Sequence, residues 1–540
     1  MKRRTFLKSA LATSAAAPIM LGGMPVHASS PLKFLAQLPT TQSDDRILII
    51  VQLFGGNDGI NTIPPIDDPA YTALRPNIAL DPTVVKSKSV KFGDAWFHPA
   101  LGSGNKGGFT NMMSAGNLAV VLNVGYPYPN LSHFRSTDIW LSGMNDSNPN
   151  DRLDTGWVGR YLSSKYPNFP ADLPADPLAI QFGGFSLTLQ AQVGRMGIEV
   201  GSDPTKQQGV SSALDTLDPD ATGTAYANEY AFVADIAARS DKYAQRVKDS
   251  YTAGKAMLKG SYATDGFSQQ MANCAALIAG GLQTKVYVVS MGGFDTHVSQ
   301  AIPGTTEAGL HASLLGTLAD AVAQFMNDMV RLNLADRVVG LTVSEFGRRP
   351  SENGSFGTDH GAASVQFVFG TQVNSGIFGT AFDLSNLDED GNMTYQNDFR
   401  SVYLDVLTDW YGMTLDDART LLKGGRNLPD VDLLPPVKVI QSQSNAAKQP
   451  RMSELQFAIT SNYPNPFSSQ TTLVMDVPRD AYVSIEITNM AGQRVAEVSS
   501  QTFAAGTHTI SASLDLPSGF YLVTARSPFG LASRMIECVR

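Results

Sequence analysis

Cysteine is nearly absent: Cys274 and Cys538 are the only two in 540 residues. Two cysteines exclude a disulfide framework and a cysteine-built zinc site. Charge is scarce as well. Asp, Glu, Lys and Arg make up 16% of the chain, too little for a disordered tail protein or a coiled coil. Basic residues are the minority, 40 against 49 acidic, for a net charge of −9. Binding to a phosphate backbone wants a basic face, so nucleic acid is not an expected partner. Beyond the N-terminal stretch no run approaches the roughly 20 apolar residues that span a bilayer, so the mature chain is expected to carry no transmembrane span. What is plentiful is apolar residues, at 43%, with 48 glycines and 30 prolines. That composition supports a large core with many turns, and the length allows one large domain with a small companion.

Both ends read as address labels. The chain opens Met1-Lys2-Arg3-Arg4-Thr5-Phe6-Leu7-Lys8, followed by an apolar, small-residue stretch to Gly23 and by Val26-His27-Ala28. This pattern reads as a cleavable export signal over residues 1–28, too short and too rich in Ser, Thr and Ala for an anchor. Arg3-Arg4 before Phe6-Leu7-Lys8 resembles the twin-arginine type. Residues 436–455 are polar, with little periodicity, and read as a linker. Residues 456–540 carry short alternating runs, Leu473 to Val477, Tyr482 to Thr488, Arg494 to Val498, Thr507 to Leu514 and Phe520 to Ala525, separated by turn residues. That spacing predicts a small all-β sandwich. Asn462-Tyr463-Pro464-Asn465-Pro466-Phe467 and Leu516-Pro517-Ser518-Gly519-Phe520-Tyr521 resemble the C-terminal sorting domain of the type IX secretion system. The resemblance implies export and secretion machinery as partners and a final place outside the cell, secreted or attached to the outer surface.

Between them, residues 44–435 alternate buried-strand and helix patterns. Arg46 to Phe54, Leu118 to Val124, Val286 to Ser290, Val338 to Val343 and Val365 to Phe369 are nearly continuous apolar runs. Helical spacing covers Tyr226 to Leu258, Gln269 to Leu282, Leu310 to Leu332 and Val402 to Tyr411. The alternation predicts an α/β domain with a parallel sheet covered by helices. Such sheets gather ligands at the carboxyl ends of their strands. There the sequence places Phe54-Gly55-Gly56-Asn57-Asp58-Gly59, Tyr126 to Phe134 with Ser132-His133, Gly292-Gly293-Phe294-Asp295-Thr296-His297, Ser344-Glu345-Phe346-Gly347-Arg348 and Gly357-Thr358-Asp359-His360-Gly361. The chain has seven histidines, and His133, His297 and His360 each fall near a strand end. Asp and His in such loops suit a divalent metal with oxygen and nitrogen ligands. Trp140, Trp157 and Tyr161 read as core rather than as a sugar platform.

These motifs, in this order, resemble the bacterial exported family called domain of unknown function 1501, over about Leu48 to Leu422. That family is similar in turn to the alkaline phosphatase and sulfatase superfamily, whose members carry two metals at strand ends and a nucleophile at a helix N-terminus. The resemblance implies an alkaline-phosphatase-like fold and a metal-dependent hydrolase of small anionic phosphate or sulfate esters. The ion implied is zinc, with a second divalent ion beside it. Carried over, Ser132 resembles the nucleophile and Asp58 a metal ligand next to it. Asp295 and His297 resemble an Asp/His metal pair, spaced more closely than usual. Glu345 resembles an acidic ligand, although the superfamily has Asp-His where this chain has Glu-Phe. His360 resembles a late histidine ligand; alternatively Asp359-His360 is itself the Asp-His pair. Either way one usual ligand is missing or replaced. Arg348, or Arg135, would hold the ester oxygens. The other reading is a non-catalytic secreted or surface protein that keeps the fold.

Overall fold

A computed structural model describes residues 19–21, 24–26, 45–102, 107–145, 153–184, 186–207, 241–442, 457–477, 481–490, 493–504, 506–527 and 530–539. The chain divides into two units, residues 1–442 and 443–540. Most of the expected export signal, and residues 226–240 of the expected Tyr226 to Leu258 helix, fall outside the described residues; 19–21 pair with 24–26 as an antiparallel ribbon, and 241–255 are helical.

The larger unit is built on a nine-stranded sheet. Its strands are β1 Ile47–Leu53, β2 Leu118–Gly125, β3 Ala179–Phe182, β4 Ile198–Val200, β5 Val286–Met291, β6 Val338–Val343, β9 Ser364–Phe369, β10 Gly376–Phe378 and β11 Asn397–Asp398. A separate hairpin of β7 Gly347–Glu352 and β8 Thr358–Gly361 lies between β6 and β9 in sequence. The strand order is β4-β3-β5-β1-β6-β9-β2-β10, with β11 also beside β2. Every pairing is parallel except those of β9, which runs antiparallel to β6 and β2. The expected all-parallel sheet is therefore mixed. The apolar run Val365 to Phe369 identifies a buried strand, but such a run is the same read in either direction. The inversion has a consequence for the site: residues that precede β9, not those that follow it, stand at the carboxyl edge of β1, β5 and β6.

Both faces are covered, and the alternation of side chains along β1 shows it. Ile47, Ile49, Val51 and Leu53 enter one core, with Met271 and Leu277 of α6 Gly266–Ala279 and Leu318 and Phe325 of α7 Leu310–Arg331. Leu48 and Ile50 enter the other, with Trp140 of α4 His133–Ser142, Leu162 of α5 Trp157–Lys165 and Tyr403 of α8 Phe399–Asp405. Trp140 stacks on Phe399, Trp157 on Tyr403 and Tyr161 on Tyr411, so all three aromatics are core. The expected linker starts later than residue 436: Val439 and Ile440 are buried in this second core, and residues 443–455 lie outside the described ones.

The smaller unit has two antiparallel sheets on one core. One holds β12 Ala458–Tyr463, β13 Gln470–Val477 and β16 Gly506–Ser513; the other holds β14 Ala481–Asn489, β15 Arg494–Phe503, β17 Gly519–Ser527 and β18 Gly530–Cys538. Buried residues alternate with partly exposed ones along β13, as a one-faced sheet requires. The Asn462 to Phe467 motif is tied to β18: Phe467 N–H donates to the Glu537 carbonyl, and Asn465 Oδ1 accepts from Glu537 N–H at 2.8 Å.

Candidate metal centre

The carboxyl ends of β1, β5 and β6 and the loop before β9 meet at one edge of the sheet. Gly55 and Gly56, just past β1, hold φ +112° and +80°, a region that side chains avoid. A Cβ on Gly55 would lie 2.1 Å from the Asp295 nitrogen, so only glycine lets the β1 and β5 loops touch. Gly55 N–H then donates to Glu345 Oε1 at 3.0 Å, which ties the β6 loop to the same point.

Arg348 fastens these loops. Its Nε donates to the Gly56 carbonyl at 3.0 Å and its Nη1 to Thr358 O at 2.8 Å; Nη2 reaches the carbonyls of Gly55 and Phe294 and, at 2.6 Å, Asp295 Oδ1. The side chain is fully buried. A guanidinium with its donors on loop carbonyls is a clasp, not the open clamp for ester oxygens that the resemblance implies. Asp58 is committed as well. It is buried, pairs with Arg75 Nη1 at 2.6 Å and Nη2 at 3.0 Å, accepts from Gln300 Nε2 at 2.5 Å and caps the Ile60 N–H. Burial pushes its carboxyl pKa up, but Arg75 and Gln300 together bring it below the usual value. Asp58 thus anchors the loops from beneath, and the group that meets metal-ligand spacing does not include it.

That group is His133, Asp295 and His360, whose ligand atoms lie within 4.8 Å of one another. Each imidazole is held from behind. His360 Nδ1 faces the Leu131 carbonyl at 2.8 Å. A carbonyl only accepts, so Nδ1 carries the proton and Nε2 is bare. His133 Nδ1 contacts the Glu345 carboxylate closely, and His297 Nδ1 lies 3.1 Å from Asp359 Oδ1. In the neutral form of either ring, a proton on Nδ1 leaves Nε2 available to a metal. The three Nε2 atoms converge on one carboxylate: His297 and His360 lie 3.2 and 3.4 Å from Asp295 Oδ1, and His133 lies 3.6 Å from Oδ2. His297 Nε2 and His360 Nε2 are only 2.9 Å apart. Lone pairs crowding a carboxylate repel. A proton on one ring relieves one contact, whereas a divalent cation relieves them all. Two nitrogens and an oxygen at ligand spacing, with His297 Nε2 beside them and acceptors behind the imidazoles, fit a borderline metal such as zinc.

Phe346 packs behind the rings, with centroids 5.0 Å from His133 and 4.3 Å from His360. Burial lowers the His360 pKa, so its ring stays neutral and able to ligate. Asp295 is half-exposed; its slight burial raises the pKa, but the Arg348 hydrogen bond and charge bring it below the usual value. Asp359 is also lowered, mainly by its hydrogen bond from Asn353. Ser132 is exposed at the N-cap of α4, one residue before His133, and its hydroxyl makes no cap bond.

Of the residues expected at the site, Asp295, His297, Glu345, Asp359, His360 and Arg348 are thus one contact network, with Ser132 at its rim and Asp58 in the layer below. The superfamily pattern gives His133 no metal role; its signal was its place near a strand end, shared with His297 and His360. Gln300 and Arg75 carry none in sequence. Gln300 bridges three loops, accepting from Thr296 and Thr358 hydroxyls at 2.8 and 2.7 Å while donating to Asp58.

Residues 45–416 match the model of the family described as protein of unknown function (DUF1501). The chain belongs to that family. Residues 461–533 match a secretion system C-terminal sorting domain, of the type IX kind, which marks the protein for export, secreted or attached to the cell surface. No curated protein matches the chain. Among solved structures it is similar to Ps i-CgsB in complex with k-i-k-neocarrahexaose, at 12% identity and TM-score 0.32 over 80% of this chain and 84% of that one. It is also similar to a mutant of the alkaline phosphatase PafA, at 11% identity and TM-score 0.27 over 59% and 65%. Scores this low carry no argument about chemistry. No helix among the described residues is long and apolar enough to cross a membrane.

Proposed function

We propose that this exported protein is a metal-dependent hydrolase of phosphate or sulfate esters. The observation that carries the reading is the convergence of three imidazole Nε2 atoms on Asp295, each ring with an oxygen acceptor at its Nδ1. His133, Asp295, His297 and His360 would hold the ion, zinc by its donor set. Bound there, zinc supplies a Lewis acid for an ester oxygen and lowers the pKa of a hydroxyl or water. Glu345 and Asp359 would orient His133 and His297 towards the ion. Arg348 holds Asp295 in place and keeps its carboxylate ionised. Ser132 is the nucleophile in this reading: its hydroxyl is exposed, uncommitted to the cap, and set at the first turn of α4, where the helix dipole favours an incoming anion. With its proton lost to solvent, the Ser132 oxygen would attack phosphorus or sulfur in line; the bond to the ester oxygen breaks on the opposite side, the alcohol leaves with a proton from solvent, and water then hydrolyses the seryl ester.

A second reading keeps the metal without the chemistry. The commitment of Asp58 and Arg348 to structural contacts favours it, because a second metal and an ester clamp would need both. One experiment separates the two. Purified chain is screened against aryl phosphates and aryl sulfates, with Ser132→Ala and Asp295→Asn alongside. The enzyme reading expects turnover that falls at least about a hundredfold in both variants. Zinc bound with no turnover of either ester class supports the surface-protein reading.

A further inference from the structure

The larger unit exposes four aromatic side chains among its described residues: Phe54 at 40%, Tyr128 at 84%, Phe134 at 87% and Phe356 at 42%. Single exposed apolar residues need no explanation. These four are not scattered. Phe54 precedes Gly55, whose N–H binds Glu345. Phe134 follows His133 on the first turn of α4; its position, about 100° round the helix, leaves it in solvent while His133 turns to Asp295. Tyr128 opens the loop that ends at Leu131, whose carbonyl holds His360. Phe356 lies in the hairpin turn before Thr358, and its carbonyl accepts from Gln300 N–H at 2.8 Å.

Two of the four carry a second cost. Tyr128 and Phe356 have φ +54° and +56°, the left-handed region that bulky residues avoid. Glycine or asparagine would make the same turns more easily and without apolar exposure. Strain and exposure therefore coincide at residues that flank the His/Asp cluster, and neither stabilises the isolated chain.

We infer that Phe54, Tyr128, Phe134 and Phe356 form an apolar collar around the metal centre that receives the organic part of the substrate. The substrate class is an anionic ester carried on a six-membered ring, its charge on the metal side and its ring face against the aromatics. A pyranose offers C–H groups to such faces and an aryl group offers a π face; both share this chemistry. The inference rests on the ester-hydrolase reading of the same centre.

The test is titration calorimetry on the full, zinc-loaded chain with three non-hydrolysable probes: methylphosphonate, phenylphosphonate and methyl glucoside 6-phosphonate. At least one ring probe should bind about tenfold more tightly than methylphosphonate, and which one does so identifies the ring. In Phe134→Ala and Tyr128→Ala that ratio should fall towards one, with zinc content measured as the check on folding. Phe134→Tyr should restore it, which a merely structural role would not require. Zinc-dependent methylphosphonate binding with no preference for either ring overturns the collar and leaves the metal centre standing. Absence of both zinc and anion binding overturns the two together. A dimer in sedimentation that Phe134→Ala dissociates would also overturn it, by making a second copy the occupant.

Discussion

Asp58 and Asp295 are both acidic residues at strand tips, and sequence offers no way to tell their tasks apart. Their surroundings do. Asp295 is half-exposed among imidazoles, whereas Asp58 is sealed against Arg75 with no accessible surface on either side chain. Removing one partner of a buried pair leaves the other charge unpaired, at about 3–5 kcal/mol. Asp58→Ala should therefore lower unfolding free energy by about that amount in a denaturant titration. Zinc lost with stability intact would instead make Asp58 a ligand. The glycines, the Asp-x-His and the Asp-His pair made most of the site's outline legible. The pairing of His133 with Glu345 was not legible, because the two stand 212 residues apart and only the fold joins them.

At the scale of elements, continuous apolar runs located β1, β2, β5, β6 and β9, since strands buried on both faces have no polar alternation to disguise them. Direction was beyond such runs, and β9 is reversed. The four-residue β3 and three-residue β4 and β10 are too short to make a pattern. Another element-level feature is the junction of α8 with the π-helical turn Val406–Trp410. There Asp405 is buried; Oδ2 accepts from Val439 N–H at 2.7 Å and Oδ1 has no hydrogen-bond partner among the described residues. Burial, reinforced by Asp409, raises its pKa to about 7. The native state thus binds this proton more tightly than the unfolded one. The associated stability is fully present below about pH 4 and is lost as pH rises through 7. Asp405→Asn keeps an acceptor for Val439 without the charge. It should raise the melting temperature at pH 8 more than at pH 5; an equal or opposite effect would refute the buried-charge explanation.

For the whole molecule, the two units divide the work: the larger carries the candidate metal centre and the smaller carries the sorting signal. The larger unit needs its last residues. Val439 and Ile440 are 0% and 1% exposed, and burying such a side chain contributes about 1.5–3 kcal/mol. A chain ending at Ser442 should keep full stability and stay inside the cell envelope, whereas one ending at Pro436 should be measurably less stable in the same denaturant titration. Appearance of the Ser442 form outside the cell at normal levels would contradict the sorting assignment. The central claim is the metal centre, and elemental analysis of the purified full chain tests it most directly. The account predicts about one zinc per chain, bound through nitrogen and oxygen. It predicts loss of that zinc in His133→Ala and Asp295→Ala at unchanged fold, and a roughly 10–100-fold weaker grip in Glu345→Gln. A folded chain that takes up no divalent metal from zinc-replete buffer, or that holds it equally well without His133 and Asp295, would contradict it.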